Sequence, residues 1–203
     1  EISLEMDIAK MLAKLEIISE LPDEDFTILR MIRTGLASLS VDENIAKGEL
    51  ASSITIGMYL KPHIVHVVVY SEAYNVATPE VIVESSKIAK GVIKNCLKGL
   101  PGIGDNKKIL KRKEEILKDT RLILGKINSL TESEDPLTDS SILYRVVQSG
   151  LMDAENLKGF NPAKGEIKTE VIDGMVQCVD VNTGEVISEK ERIRMGMTRS
   201  QAL

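Results

Sequence analysis

A chain of 203 residues with 43% hydrophobic and 28% charged positions carries enough Ile, Val and Leu to bury a core, which argues against intrinsic disorder. Its longest apolar run, Ile64 to Tyr70, is interrupted by His66 and far too short to span a bilayer, and no signal-peptide pattern opens the sequence, so a soluble cytoplasmic protein is expected. The net charge of -5 hides a basic block: residues 87–126 hold twelve Lys or Arg against four Asp or Glu, a local +8 that leaves -13 on the rest.

Leu4, Ile8, Met11, Leu15 and Ile18 recur at helical spacing, which predicts an amphipathic helix ending near Leu21-Pro22. Asp23 and Asp25 are suited to cap a second helix through Ile28, Leu29 and Ile32, stopped by Gly35. Asp42 caps a third, from Glu43 to about Leu60, terminated by Lys61-Pro62. His63 to Tyr70 follows, rich in consecutive β-branched residues without alternation. That composition predicts a parallel-type strand covered on both faces. After a loop over 71–77, Thr78-Pro79-Glu80 starts a helix: a capping hydroxyl, a proline at the first helical position, then an acid in the first turn.

Gly99 to Gly104 breaks the pattern, and a long basic helix runs from about Lys107 to Leu130. Asp139 or Ser140 caps a short helix ending at Gly150, and residues 151–165 read as loop with one turn at Asp153 to Leu157. Glu166 to Ile172, Asp173-Gly174 and Met175 to Val181 form a β-hairpin, since Asp-Gly supplies the positive φ angles of a tight turn. Asn182 to Gly184 turns into a third short strand, Glu185 to Ile187, completing a meander before an exposed, charged end. The expected fold is therefore α/β and predominantly helical, with a parallel-type βα unit. Its organisation is a helical α/β domain over 1–150 and a C-terminal extension with a β-meander over 151–203. Glu1 stands without a preceding methionine and a helical pattern begins at once, so a processed product or part of a longer polypeptide is expected.

In open parallel sheets and in barrels, ligands sit at the carboxyl ends of strands. That end is Tyr70 to Asn75. Glu72 is placed to act as a general base or to bind a cationic group, with Tyr74 and Asn75 as hydrogen-bonding ligand residues. A satisfied polar loop is the plainer alternative. His63 and His66, the only histidines, would face opposite sides of a strand, and no further donors complete a zinc site. His66 is expected in the core, lining a pocket beneath Glu72. Cys96 and Cys178 are expected to be buried, unpaired thiols.

The basic block admits an anionic partner, a phosphate-bearing ligand, or an acidic surface of the chain's own fold. Leu100-Pro-Gly-Ile-Gly104 resembles the turn of helix–hairpin–helix DNA-binding proteins, whose backbone N–H groups meet a phosphate. On this alternative Gly102, Gly104, Lys107, Lys108, Lys111 and Arg112 contact nucleic acid and the protein is non-catalytic. The small apolar residue that such hairpins use to pack their helices is replaced by Lys108, and the next core position is Lys111, so the packing half of the motif is missing.

Two stretches, residues 63–97 (HIVHVVVYSEAYNVATPEVIVESSKIAKGVIKNCL) and 135–181 (DPLTDSSILYRVVQSGLMDAENLKGFNPAKGEIKTEVIDGMVQCVDV), cover about two-fifths of the chain. They resemble the barrel proteins of cobalamin-dependent methyltransferases and of carbon-skeleton mutases, which are isomerases. The resemblance implies a segment or subunit of a TIM-barrel-like enzyme, homo- or hetero-oligomeric. Neither stretch holds the cobalt-ligating histidine motif, so cobalamin is expected on a separate corrinoid-binding domain or protein. The family carries an acid–histidine pair where Tyr74 and Asn75 stand, and a cysteine near Ser86, so the chain departs from the pattern at the site itself. A complete eight-stranded barrel takes roughly 250 residues, so only part of one is expected.

Overall fold

The computed structural model describes residues 3–21, 26–35, 39–103, 105–132 and 135–200, with side chains up to residue 196. It divides into two compact units, Ser3–Glu114 and the residues from Glu115 onward.

In the first unit, helix α1 (Leu4–Ser19) starts at Ser3, whose hydroxyl accepts the Met6 N–H at 3.1 Å. Glu5 and Asp7 in its first turn complement the positive end of the helix dipole. Helix α2 (Glu43–Met58) is capped by Asp42, which accepts the N–H groups of Asn44 and Ile45 at 2.9 and 3.0 Å. Helix α3 (Pro79–Cys96) begins on Thr78 with Pro79 in its first turn. The starts of α2 and α3 follow the capping signals read from the sequence.

The predicted second helix is not formed. Met31–Arg33 is instead a strand, β1, paired in parallel with β2 (Ile64–His66) in the register Met31↔Ile64, Ile32↔Val65 and Arg33↔His66. Its proposed caps, Asp23 and Asp25, lie outside the described residues. Local propensity is overridden by pairing and burial. The Arg30 carbonyl accepts the N–H groups of His63 and Ile64 at 2.8 and 3.1 Å, and Ile32 is seated against Gly57 of α2.

The chain thus runs β1–α2–β2–α3, a parallel pair joined through a crossover helix and followed by a second helix. Ala46, Leu50 and Ile54 of α2, Tyr70 and Ala89 of α3 form one core, with Val65 and Val67 against it. A smaller core joins Ile8 and Ala9 of α1 to Ile109, with Ile56 of α2 and Tyr59 just after it alongside. The strand predicted over His63 to Tyr70 is regular only at Ile64–His66, and it is not covered on both faces: Ile64 is 44% exposed and His66 is exposed too. Residues 68–71 are buried beyond the paired stretch. Within the run, Val65, Val67 and Tyr70 pack with α2 and α3.

Helix α4 (Lys107–Asn128) contributes to both units. In the second, Ile127 meets Ile142 and Val146 of helix α5 (Ser140–Gln148), Leu151 and Ile193. Asp139 caps α5, and one 3-10 turn stands at Glu155–Leu157. Strands β3 (Lys168–Ile172) and β4 (Met175–Val179) form the expected hairpin, with Asp173 and Gly174 at φ 51° and 74°. The meander's third strand is reduced to a single bridge, Val179↔Val186.

Where the sequence reading expected an exposed, charged end, residues 189–200 form a helix, α6 (Glu189–Ser200), with Arg192 and Ile193 buried. Ser188 and Glu191 form a capping box: the Glu191 carboxylate accepts the Ser188 N–H at 2.9 Å and the Ser188 hydroxyl accepts the Glu191 N–H at 3.3 Å. Arg192 turns inward, donating to the carbonyls of Gly150 and Leu151 at 3.0 and 2.8 Å and to Glu189. The described residues place two strands in the parallel sheet, not the eight of a barrel.

Candidate functional site

The carboxyl end of the parallel pair is built on a closed polar network. Tyr70, 3% exposed, donates its phenol to Glu84 Oε2 at 2.7 Å, and Lys47 Nζ lies 2.7 Å from Glu84 Oε1 and 2.6 Å from Glu43 Oε1. The same ammonium sits 4.7 Å from the centre of the Tyr70 ring, a cation–π contact. Glu43 and then Glu84 hold the Lys47 ammonium well above the ordinary lysine range. The hydrogen bond to Glu84 pushes the Tyr70 phenol up, and Lys47, then Tyr70, pull the Glu84 carboxyl down. All three shifts favour the protonation states already present. The network therefore anchors the segment before Ser71 between α2 and α3 and is not a store of reactive groups.

Above it the chain turns tightly. The Glu72 N–H donates to the Val69 carbonyl at 3.0 Å, and the Ser71 carbonyl accepts the N–H groups of Tyr74 and Asn75 at 3.1 and 2.8 Å. Glu72, Tyr74 and Asn75 are brought together in this one turn, all exposed, with Asn75 Oδ1 facing the Val76 N–H at 2.9 Å. The Ser71 hydroxyl is buried beneath without a partner among the described residues. His66 does not lie in a core pocket as expected. It stands exposed on the sheet face turned away from α2, because the twofold alternation of β2 sends Val65, not His66, inward.

Arg33 is the residue that sequence reasoning missed, since it fell inside the predicted helix. It pairs in register with His66 and, like it, is exposed. The recoverable signal was the apolar Met31-Ile32 step, equally compatible with a short strand.

The basic segment is placed differently. Asn106, not a glycine, caps α4 by accepting the N–H groups of Lys108 and Ile109 at 3.0 and 3.2 Å. Gly102 and Lys107 are exposed, and Gly104 lies outside the described residues. Lys108 is 3.7 Å from Glu5, Lys113 pairs with Glu16, and Arg112 Nε reaches the Met6 sulfur at 3.4 Å, while Lys111 is exposed. Part of the basic block thus answers the acidic face of α1.

Among the described residues no group of three or more His, Cys, Asp or Glu is arranged to hold a metal. His63 Nδ1 accepts the Arg30 N–H at 3.0 Å, and His66 is exposed. Cys96 and Cys178 are free and half-buried, with burial pushing the Cys178 thiol up.

Fold and site define an α/β protein whose first unit carries a βαβα element with a polar turn at the carboxyl end of its second strand. No protein-family model and no curated protein matches the chain. Among the described residues no helix is long and apolar enough to cross a membrane.

Proposed function

We propose that the chain is a segment or subunit of a barrel enzyme that works with cobalamin, in methyl transfer or carbon-skeleton rearrangement, the corrinoid being held by another domain or subunit. The observation that carries this reading is the β1–α2–β2–α3 unit, with helices on one face of a parallel pair and the other face bare among the described residues. Parallel strands are normally covered on both faces, in barrels by helices outside and by the side chains of the other strands inside. A two-stranded sheet is marginal by itself, so strands of the same polypeptide or of a partner are needed to complete it. The resemblance of residues 63–97 and 135–181 to cobalamin-linked barrel proteins points the same way.

In this reading Glu72 serves as the base or cation-binding carboxylate, and Tyr74 and Asn75 orient the substrate. The Tyr70–Glu84–Lys47 network keeps the turn that bears them rigid. No step is assigned to the corrinoid, which in this reading is held by another domain or subunit.

The test is turnover by the assembled enzyme carrying Glu72→Gln or Asn75→Ala. Loss of kcat of about a hundredfold or more for Glu72→Gln supports the assignment. Variants that change nothing but stability point to a structural chain without a ligand. Replacing Lys107, Lys108, Lys111 and Arg112 by Ala leaves turnover unchanged in this reading, whereas loss of salt-sensitive DNA binding would favour a nucleic-acid protein.

A further inference from the structure

The bare face of the parallel pair has a chemical character of its own. Residues 31, 33, 64 and 66 share it, because Ile32 and Val65 alternate toward the helices. Its first rung is apolar, Met31 beside Ile64, and its last rung, toward the carboxyl ends of both strands, is Arg33 beside His66. Neighbouring strands lie about 4.8 Å apart, so a guanidinium and an imidazole are presented side by side over one small area.

Several other cations are engaged: Lys47 by Glu43 and Glu84, Lys113 by Glu16, Arg192 by Glu189 and two carbonyls. The Arg33 and His66 side chains have no ion pair or hydrogen-bond partner among the described residues. If the bare face is the interior of a barrel, its last rung borders the substrate, since such sites lie at the carboxyl ends of the strands.

We infer that Arg33 and His66 form an oxyanion-binding pair, so that the substrate of this site carries a carboxylate or phosphate group. The inference rests on the barrel reading above. Arg33 supplies a planar fork that meets two oxygens at once, His66 adds a donor from the next strand, and Met31 and Ile64 offer an apolar bed for the rest of the molecule. Glu72 follows in the turn beyond β2, after the buried residues 68–71.

The experiment is a titration of the 203-residue chain with inorganic phosphate and with succinate at constant ionic strength, followed by NMR at Arg33 Nε–H and the His66 ring. Saturable shifts confined to these two residues are expected, weakened about tenfold or more by Arg33→Gln and less by Arg33→Lys, which keeps the charge and loses the fork. His66→Gln should weaken binding more modestly, and the quadruple alanine variant of α4 should bind as before. Both exposed positions tolerate substitution without unfolding, and thermal melts check this. Absence of saturation, or saturation indifferent to Arg33→Gln, overturns the inference. If Arg33-dependent anion binding is found but no corrinoid protein associates with the chain, the anion pair stands and the cobalamin reading fails. If a corrinoid protein associates while the anions ignore Arg33, the reverse holds.

Discussion

Replacing Gly57 by Ala tests the seam on which β1, and with it Arg33, is positioned. A methyl carbon at residue 57 would overlap Ile32 Cδ1 and lie 3.1 Å from both Ile32 Cβ and Cγ2. The Cδ1 tip can rotate aside, but Cβ is tied to the β1 backbone, so the strand has to yield. Ala gains at most about 1 kcal/mol over Gly in a helix interior, and less in the last turn where Gly57 sits. Overpacking of a filled contact costs about 1–3 kcal/mol, so a net loss of about 1 kcal/mol is expected. Ile32→Val, which removes Cδ1, should cost about 0.5–1.5 kcal/mol alone and much less in the Gly57→Ala background, a coupling of about 1 kcal/mol. Urea unfolding of the four proteins, followed by circular dichroism, gives the cycle. Additivity within about 0.5 kcal/mol, or a Gly57→Ala protein more stable than the parent, would show that Ile32 is not seated on Gly57.

Three further outcomes are expected. Arg192→Met strands two backbone carbonyls and Glu189, and after allowance for partial solvent access it should cost about 2–4 kcal/mol, with hydrogen-exchange protection lost in α6; a loss below about 1 kcal/mol would deny Arg192 this role. Leu50→Ala empties a fully buried position of the α2–α3 core and should cost about 2–5 kcal/mol in denaturant titration. The Asp139 carboxyl is held below the usual carboxylate range by the Ser141 hydroxyl, then by the N–H groups of Ser141 and Ile142. Its folded pKa is the lower one, so its stabilisation is complete above the unfolded value of about 3.9 and fades as pH falls through the folded value. The stability gap between parent and Asp139→Ala should therefore close in acid, and a gap independent of pH would contradict the cap.

Elements announced by their own termini were legible in the sequence: α2, α3 and α5 through Asp42, Thr78-Pro79 and Asp139, and the hairpin through Asp173-Gly174. These signals are local, so no partner is needed to read them. β1 was not legible, because three residues become a strand only by pairing with Ile64–His66, 33 positions away, and by resting on Gly57. Missing β1 also hid Arg33 and led to an inward His66, since the face of a strand is set by its neighbour and its helix. α6 was overlooked although Ser188 and Glu191 spell its capping box; its charged residues suggested solvent, while Arg192 and Ile193 are buried. The Glu72–Asn75 turn was placed correctly in the chain, but the Tyr70–Glu84–Lys47 support beneath it joins three elements and carries no motif.

The central claim, that this chain belongs to a barrel enzyme working with a corrinoid held elsewhere, is tested most directly by native mass spectrometry of the complex captured from its own extract, with the visible absorption of the captured material read in parallel. The account predicts a complex or longer polypeptide that carries this sequence, supplies further parallel strands and brings a corrinoid in fixed proportion to it. A lone 22.3 kDa species without corrinoid absorption would contradict it.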